Sequence, residues 1–546
     1  MSFFATHEEL LHQALRAIAE RAYWSAYPES PSPKVWGETA APEGKAAFEA
    51  LLHQDFALPG VSADETVAPE KSPFGIDLGV RYPKIGVDTL IANASAALQG
   101  WRDAGVDART GVCLEILDRL KARVFELGNA VHATTGQPFV MAFQAGGPHA
   151  LDRALEAIAY AYAEMTRQVP TVTWQKKADT LDKKFTVVPR GVALVVGCNT
   201  FPTWNSWPGF FASLATGNPV IVKPHPRAVL PLAITVQIAR EVLADGGFDP
   251  NTVQLAVDTV DAPITSELAL RPEVKVIDFT GSSAYGEWLE DNARQAQVYT
   301  EKAGVNTVVI DSTGDFAGMC RNLGFSLTLY SGQMCTTPQN LLIPSGGIET
   351  DAGHKSFDEV VAGIAAGVSA LTSDPAKAVE LTGAIVSDAV LGRIDSAREL
   401  GDVVLDSRPL DHPLYPDAAV RTPMIVAVKD GYSQECFGPV TFAIPTGSTV
   451  DSIALFRELV GTKGAITAAV YSTSENVLAE VEKAALEVGV HLSENLVGGI
   501  FVNQSAAFSD FHASGANPAA NASLTDGAYV AGRFRVVQSR RPVAAQ

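Results

Sequence analysis

Cysteine is scarce in this chain of 546 residues: five are present, at positions 113, 198, 320, 335 and 436. No two form a C-x-x-C pair, which excludes a disulfide framework and a cysteine-rich zinc site. Reduced thiols, a cytoplasmic location and no bound metal are the expectations. Positive charge is also in deficit, with a net charge of −20. Nucleic-acid binders carry basic patches, and anionic membrane surfaces attract them, so neither partner is expected. Long apolar runs are missing. The stretch from Val192 to Gly197 is typical and far too short to cross a bilayer. The first residues, Met1-Ser2-Phe3-Phe4-Ala5-Thr6-His7, lack the basic and apolar regions of a secretion signal, and none is expected.

What is present is an ordinary globular balance of 47% hydrophobic and 19% charged residues, in a chain long enough for two to four structural units. Residues 7–24 read as an amphipathic helix, and 28–86 as irregular structure rich in Pro and Gly. Helical patterns return over 83–105, 110–134 and 147–168. Residues 169–188 alternate polar and apolar side chains, as a two-stranded excursion would. Then strands and helices alternate: strands at 192–196, 220–223, 253–257 and 274–279, helices at 204–216 and 230–244. That order implies a parallel sheet covered on both faces, which binds ligands at the carboxyl ends of its strands. After about residue 303 the pattern restarts. Strands are expected at 307–310, 341–344, 440–444, 468–471 and 500–503, and helices at 316–329, 357–371 and 376–381. A lone strand is expected at 533–537. Without a local partner it would pair with another subunit, the alternative being a disordered tail.

Ser331-Gly332-Gln333-Met334-Cys335-Thr336-Thr337-Pro338-Gln339 places a thiol at a junction between elements. Junction cysteines are mostly structural, but five further patches accompany this one. They are Gly197-Cys198-Asn199-Thr200-Phe201-Pro202, Val222-Lys223-Pro224, Phe279-Thr280-Gly281-Ser282 with Gly286, Glu301-Lys302-Ala303-Gly304, and Glu435-Cys436-Phe437-Gly438-Pro439-Val440. Taken singly, each reads as a turn, a cap or a solvated edge. In this order and spacing, over residues 110–515, they resemble the aldehyde dehydrogenase superfamily. Within it, Gly-Cys-Asn-Thr-Phe-Pro and the long N-terminal region are similar to the phenylacetic acid degradation (PaaN) group, in a form without a fused hydratase domain.

The resemblance implies an α/β fold. A Rossmann-type cofactor domain (1–168 and 189–302) would stand beside a second α/β catalytic domain (303–505). A small β oligomerisation extension would comprise the hairpin 169–188 and the tail 506–546. It implies a homodimer or homotetramer acting on a small-molecule aldehyde, a semialdehyde of aromatic catabolism, free or as its coenzyme A thioester. Cys335 would be the nucleophile, Glu301 the general base and Asn199 the oxyanion donor. Lys223, Gly281, Ser282, Gly286, Glu435 and Phe437 would hold the dinucleotide. Chemistry agrees with these roles. An aldehyde cannot expel hydride until a nucleophile adds, and a thiolate is a strong nucleophile near neutral pH. One fixed oxyanion donor is worth about 3 kcal/mol of barrier.

Three departures from the family pattern matter. One extra residue separates Asn199 from Phe201-Pro202. Asn205, within Trp204-Asn205-Ser206, imitates the motif, but spacing to Gly217-Asn218 favours Asn199. Position 226 is proline where NAD-preferring members often carry glutamate. With His225 and Arg227 beside it, NADP is expected, with NAD as the alternative. Lys302-Ala303-Gly304 replaces the usual Leu-Gly-Gly, but the acid is retained, which favours release of a free acid over acyl transfer to coenzyme A. A coenzyme A-acylating or esterolytic relative and a non-catalytic nucleotide-binding scaffold are the alternatives. Trp204, Trp207, Tyr330 and Phe508 are candidate walls of a substrate tunnel.

Overall fold

The structure, a computed structural model, describes residues 2–177, 179–302, 304–430 and 432–543. Ala303, where the second α/β unit was expected to start, and the last three residues lie outside them.

Five parallel strands form the first sheet, in the order Val253–Leu255, Val220–Lys223, Val192–Val196, Val274–Thr280, Gln297–Glu301. Its β-branched strands are buried on both faces, as a parallel sheet requires. Helices Pro202–Ala215 and Leu230–Asp245 follow the strands they were expected to follow. Beside the sheet lies a helical layer of Val106–Ala122, Val124–Thr135 and Pro148–Thr166. The single long helix expected over 110–134 is two, broken at Arg123, whose guanidinium turns onto Glu126 at 2.6 and 2.7 Å. The supposedly irregular stretch 28–86 contains the helices Pro33–Trp36 and Ala40–Leu51.

The second sheet has seven strands, ordered Gly401–Leu405, Met424–Val428, Val440–Thr446, Asn340–Pro344, Thr307–Ile310, Thr467–Tyr471, His491–Glu494. All neighbours are parallel except the first pair. The strand expected at 500–503 does not form. Ile500 is exposed, and its carbonyl accepts from the Asn322 side chain at 2.7 Å instead of from a neighbouring strand.

The excursion is a hairpin, Thr171–Lys176 with Asp179–Pro189. The terminal strand was expected to lack a local partner, and here the structure differs. Phe534–Pro542 pairs antiparallel with Asp179–Pro189 along its full length, completing a three-stranded sheet within one chain. The pairing was invisible locally because some 350 residues separate the two strands. It leaves Thr171–Lys176 as an exposed edge bearing Val172 and Trp174. Among the described residues no helix is long and apolar enough to cross a membrane.

The segment before the terminal strand matters most for the site. Residues 512–524 run back over the first sheet's edge strand. Asn521 N–H donates to the Thr300 carbonyl at 3.1 Å and its Oδ1 accepts from the Thr300 N–H at 2.8 Å, and Lys302 N–H donates to the Ala519 carbonyl at 2.6 Å. An otherwise open edge is thereby covered, and Glu301, at its end, is enclosed between the sheet and the tail.

Candidate active site

Cys335 is held by contacts that come from well outside its own loop. Asn306 Nδ2 donates to the carbonyls of Cys335 and Thr337 at 2.7 and 2.9 Å. Just upstream, Tyr330, Ser331 and Gly332 all adopt left-handed backbone conformations. Two consecutive non-glycine residues there cost on the order of 1–2 kcal/mol each. The surroundings impose it. Tyr330 Oη donates to the Thr135 carbonyl, and Ser331 Oγ to those of Thr382 and Arg421. Gln333 ties Ala384 and Val386. A side chain at Gly332 would collide with the Gly438 carbonyl.

Glu301, from the end of the edge strand, reaches the same point. Its carboxylate and the Cys335 thiol share a cluster with a third group, His512 from the tail, and the three polar atoms lie within 4.8 Å of one another. His512 Nε2 is 3.2 Å from Glu301 Oε1 and 3.8 Å from Cys335 Sγ. Burial pushes the Glu301 carboxyl up, but His512 and the hydrogen bonds from Cys335 and Asn205 bring it below its ordinary value. The thiol moves the other way. Burial, then the Glu301 carboxylate, hold it well above its usual range.

The asparagine on Glu301 is Asn205, whose Nδ2 donates to Oε2 at 3.1 Å while its Oδ1 accepts from Cys198 at 3.6 Å. Spacing points to Asn199 as the oxyanion donor, a different role from this contact. The helix starts at Pro202, which turns Asn205 in its first turn toward the strand end. Asn199 lies in the preceding loop, partly exposed, with a buried Oδ1 that has no hydrogen-bond partner among the described residues.

The expected dinucleotide residues divide. Ser282 stands exposed at the N-cap of Ser283–Asn292 with no side-chain hydrogen bond to the helix, so hydroxyl and helix start fit a pyrophosphate. Gly281 is exposed beside it. Gly286 is explained differently: a Cβ there would lie 2.6 Å from the Lys302 stem, so it admits a lysine that pairs with Glu290 at 3.0 Å. Lys223 is buried, bonded to Asp258 and to the Pro224 carbonyl, both at 2.6 Å. A ribose would have to share it. Glu435 is half-buried and lines a cleft with Gly332, Met334 and Phe437. Desolvation lifts its carboxyl to about 7, against a smaller opposing effect of Arg393. An acceptor of that kind, opening on the cysteine loop, fits a ribose diol.

The sequence model of the aldehyde dehydrogenase family matches residues 82–522. The chain belongs to the aldehyde dehydrogenase family. A solved NAD-dependent aldehyde dehydrogenase from Burkholderia multivorans is 55% identical, covers 100% of both chains and superposes with a TM-score of 0.98. Among curated proteins, 3,4-dehydroadipyl-CoA semialdehyde dehydrogenase of Aromatoleum evansii is 25% identical over 56% of this chain. The chain spans 60% of that relative's length. N-succinylglutamate 5-semialdehyde dehydrogenase of Paraburkholderia xenovorans is 27% identical over 66% of this chain and 72% of its own.

Family spacing leads to Cys335 and Glu301 but not to His512, which lies beyond the residues assigned to the catalytic unit. Its signal was slight: one of ten histidines, four positions after Phe508. Of the four aromatic candidates for the tunnel wall, three are core. Trp207 bonds Thr235, Tyr330 bonds Thr135, and Phe508 packs on Trp24. Trp204 alone is partly exposed, with its ring edge-on to His512, centroids 4.7 Å apart.

Proposed function

We propose that this aldehyde dehydrogenase oxidises a semialdehyde to a free carboxylic acid through a thioester on Cys335. The observation that carries this is the convergence of Cys335 and Glu301, from two different sheets, in one polar cluster. Cys335 adds to the carbonyl carbon. The backbone N–H of Cys335 and the side-chain amide N–H of Asn199 receive the oxyanion. When bound, the dinucleotide supplies the hydride acceptor that converts thiohemiacetal to thioester. Ser282, Gly281, Lys223, Glu435 and Phe437 would hold it, with Gly286 shaping the helix behind. Glu301 then takes a proton from the water that releases the acid, and Asn205 orients its carboxylate.

The substrate class rests on the similarity to a 3,4-dehydroadipyl-CoA semialdehyde dehydrogenase and on the resemblance to the phenylacetic acid degradation group. It is a semialdehyde from aromatic ring cleavage, carried as a coenzyme A thioester. For the dinucleotide, proline at 226 leaves no carboxylate to repel a 2′-phosphate, which favours NADP. The NAD-dependent neighbour and Asp258, buried against Lys223, favour NAD as the second reading. Oligomerisation of a cytoplasmic homodimer or homotetramer would use the exposed edge Thr171–Lys176.

Absorbance growth of the reduced dinucleotide over a panel of free and coenzyme A-linked semialdehydes tests the assignment, with NADP and NAD compared by kcat/KM. Cys335→Ala abolishes turnover. Glu301→Gln gives a burst of one equivalent followed by slow release. Turnover that requires added coenzyme A as acyl acceptor would favour the acylating alternative.

A further inference from the structure

His512 is the unexplained member of the cluster. It is 3% exposed, and its backbone is fixed by reciprocal hydrogen bonds with Leu524 at 3.0 and 2.8 Å. Trp204 closes one side of the ring. Only Nε2 is directed at reacting groups, and it meets both of them.

A lone carboxylate beside a thiol has conflicting tasks. Ionised, it repels the thiolate it should help to form. Once it has accepted the thiol proton, it is no longer a base for water. We propose that His512 takes the Cys335 proton, so that forming the nucleophile and activating water fall to two different bases. This rests on Cys335 being the nucleophile.

The proton passes from Sγ to Nε2, and the sulfur electron pair forms the C–S bond to the carbonyl carbon. The new Nε2–H faces the Glu301 carboxylate at 3.2 Å, which stabilises the imidazolium. After oxidation with the dinucleotide as electron acceptor, water loses a proton to Glu301 and its oxygen bonds the acyl carbon. The C–S bond breaks, and the departing thiolate meets the imidazolium that formed it. Glu301 releases the one proton of the overall reaction to solvent. The other ionisable groups facing this cluster are Cys198 and Glu435, whose charges disfavour the thiolate, and Arg153, which lies over the Trp204 ring at 5.6 Å.

The test reads Cys335 directly. Iodoacetamide labelling of the full-length protein is followed from about pH 5 to pH 9, with the modified peptide mapped. Burial and the Glu301 carboxylate alone would confine labelling to the free-thiol range; if His512 takes the proton, the unaltered chain should instead show a reactive plateau in the neutral range, the mark of an imidazolium–thiolate pair. His512→Asn and His512→Gln should lose it, with labelling at neutral pH falling about tenfold. Glu301→Gln should keep the labelling but not the turnover. A single rise in the free-thiol range in the unaltered chain overturns the proposal, even if both variants fail to fold. So does an unchanged profile in folded variants. If Cys335→Ala retains full dehydrogenase activity, the reading of Cys335 fails instead.

Discussion

Replacing Arg533 by Met should loosen the tail that carries His512. Arg533 is fully buried between the tail and the first sheet. It forms two hydrogen bonds to Asp278, at 2.6 and 2.7 Å, with the guanidinium over Tyr299 and Tyr529. Among the described residues Asp278 keeps only Tyr529 Oη, at 2.8 Å, as a side-chain partner once the guanidinium is gone. Removing one partner of such a pair costs roughly 3–5 kcal/mol, because the other charge stays buried. That is on the order of a hundred- to a few-thousand-fold in the local opening constant. Hydrogen exchange at the amides of Phe534–Pro542 and of residues 519–524 reads it without assuming that so large a chain unfolds in two states. Adding Asp278→Asn should recover much of the loss, since no uncompensated charge then remains. A double variant as labile as Arg533→Met alone, or exchange within about twofold of the parent in the single variant, would refute the charge argument and leave packing as the cause.

Glu435, with a carboxyl near 7, should lose its charge as pH falls through neutrality, so the KM for the dinucleotide should rise below about pH 7 and Glu435→Gln should flatten the profile. Glu70 tests the same physics on stability. It accepts from the N–H groups of Val229 and Leu230, and desolvation raises it to about 7. A carboxyl raised on folding contributes stability in full below its unfolded value, and that contribution is lost as pH rises toward 7. Glu70→Gln should therefore diminish the decline of Tm between about pH 4.5 and 7; an unaltered slope would count against it. Asn205→Ala should slow thioester release more than acylation, measured as a larger burst-to-steady-state ratio. Deleting 534–542 should expose Asp179–Pro189 as a second bare edge and promote aggregation, read by light scattering.

The core of both sheets was legible because buried parallel strands are short β-branched runs. Val192–Val196 and Val220–Lys223 fall where the pattern put them. Met424–Val428 is an equally clear apolar run that was passed over, and His491–Glu494 is a half-exposed edge with little apolar signal. At the site, family spacing points to Cys335 and Glu301, which the structure brings together. Asn205 was legible only as the alternative to Asn199, and its contact with Glu301 is visible only in space. His512 reaches the same carboxylate from a tail with no regular structure of its own, a proximity that no residue count contains. The terminal strand shows the same limit: its β character was plain, its partner was not.

The left-handed run Tyr330-Ser331-Gly332 has a mechanical consequence. Its hydrogen bonds, with that of Gln333 to Ala384, anchor the Cys335 loop to Thr135, Thr382, Ala384 and Arg421, well apart in the chain. The backbone that carries the sulfur is thus a fixed post. In the proposed cycle the carbon bound to sulfur must first face a hydride acceptor and then, as an acyl group, a water molecule. With the post immobile, the changeover belongs to the side chains and cofactor around it, so the slowest motion of the cycle should be one that leaves Cys335 where it is.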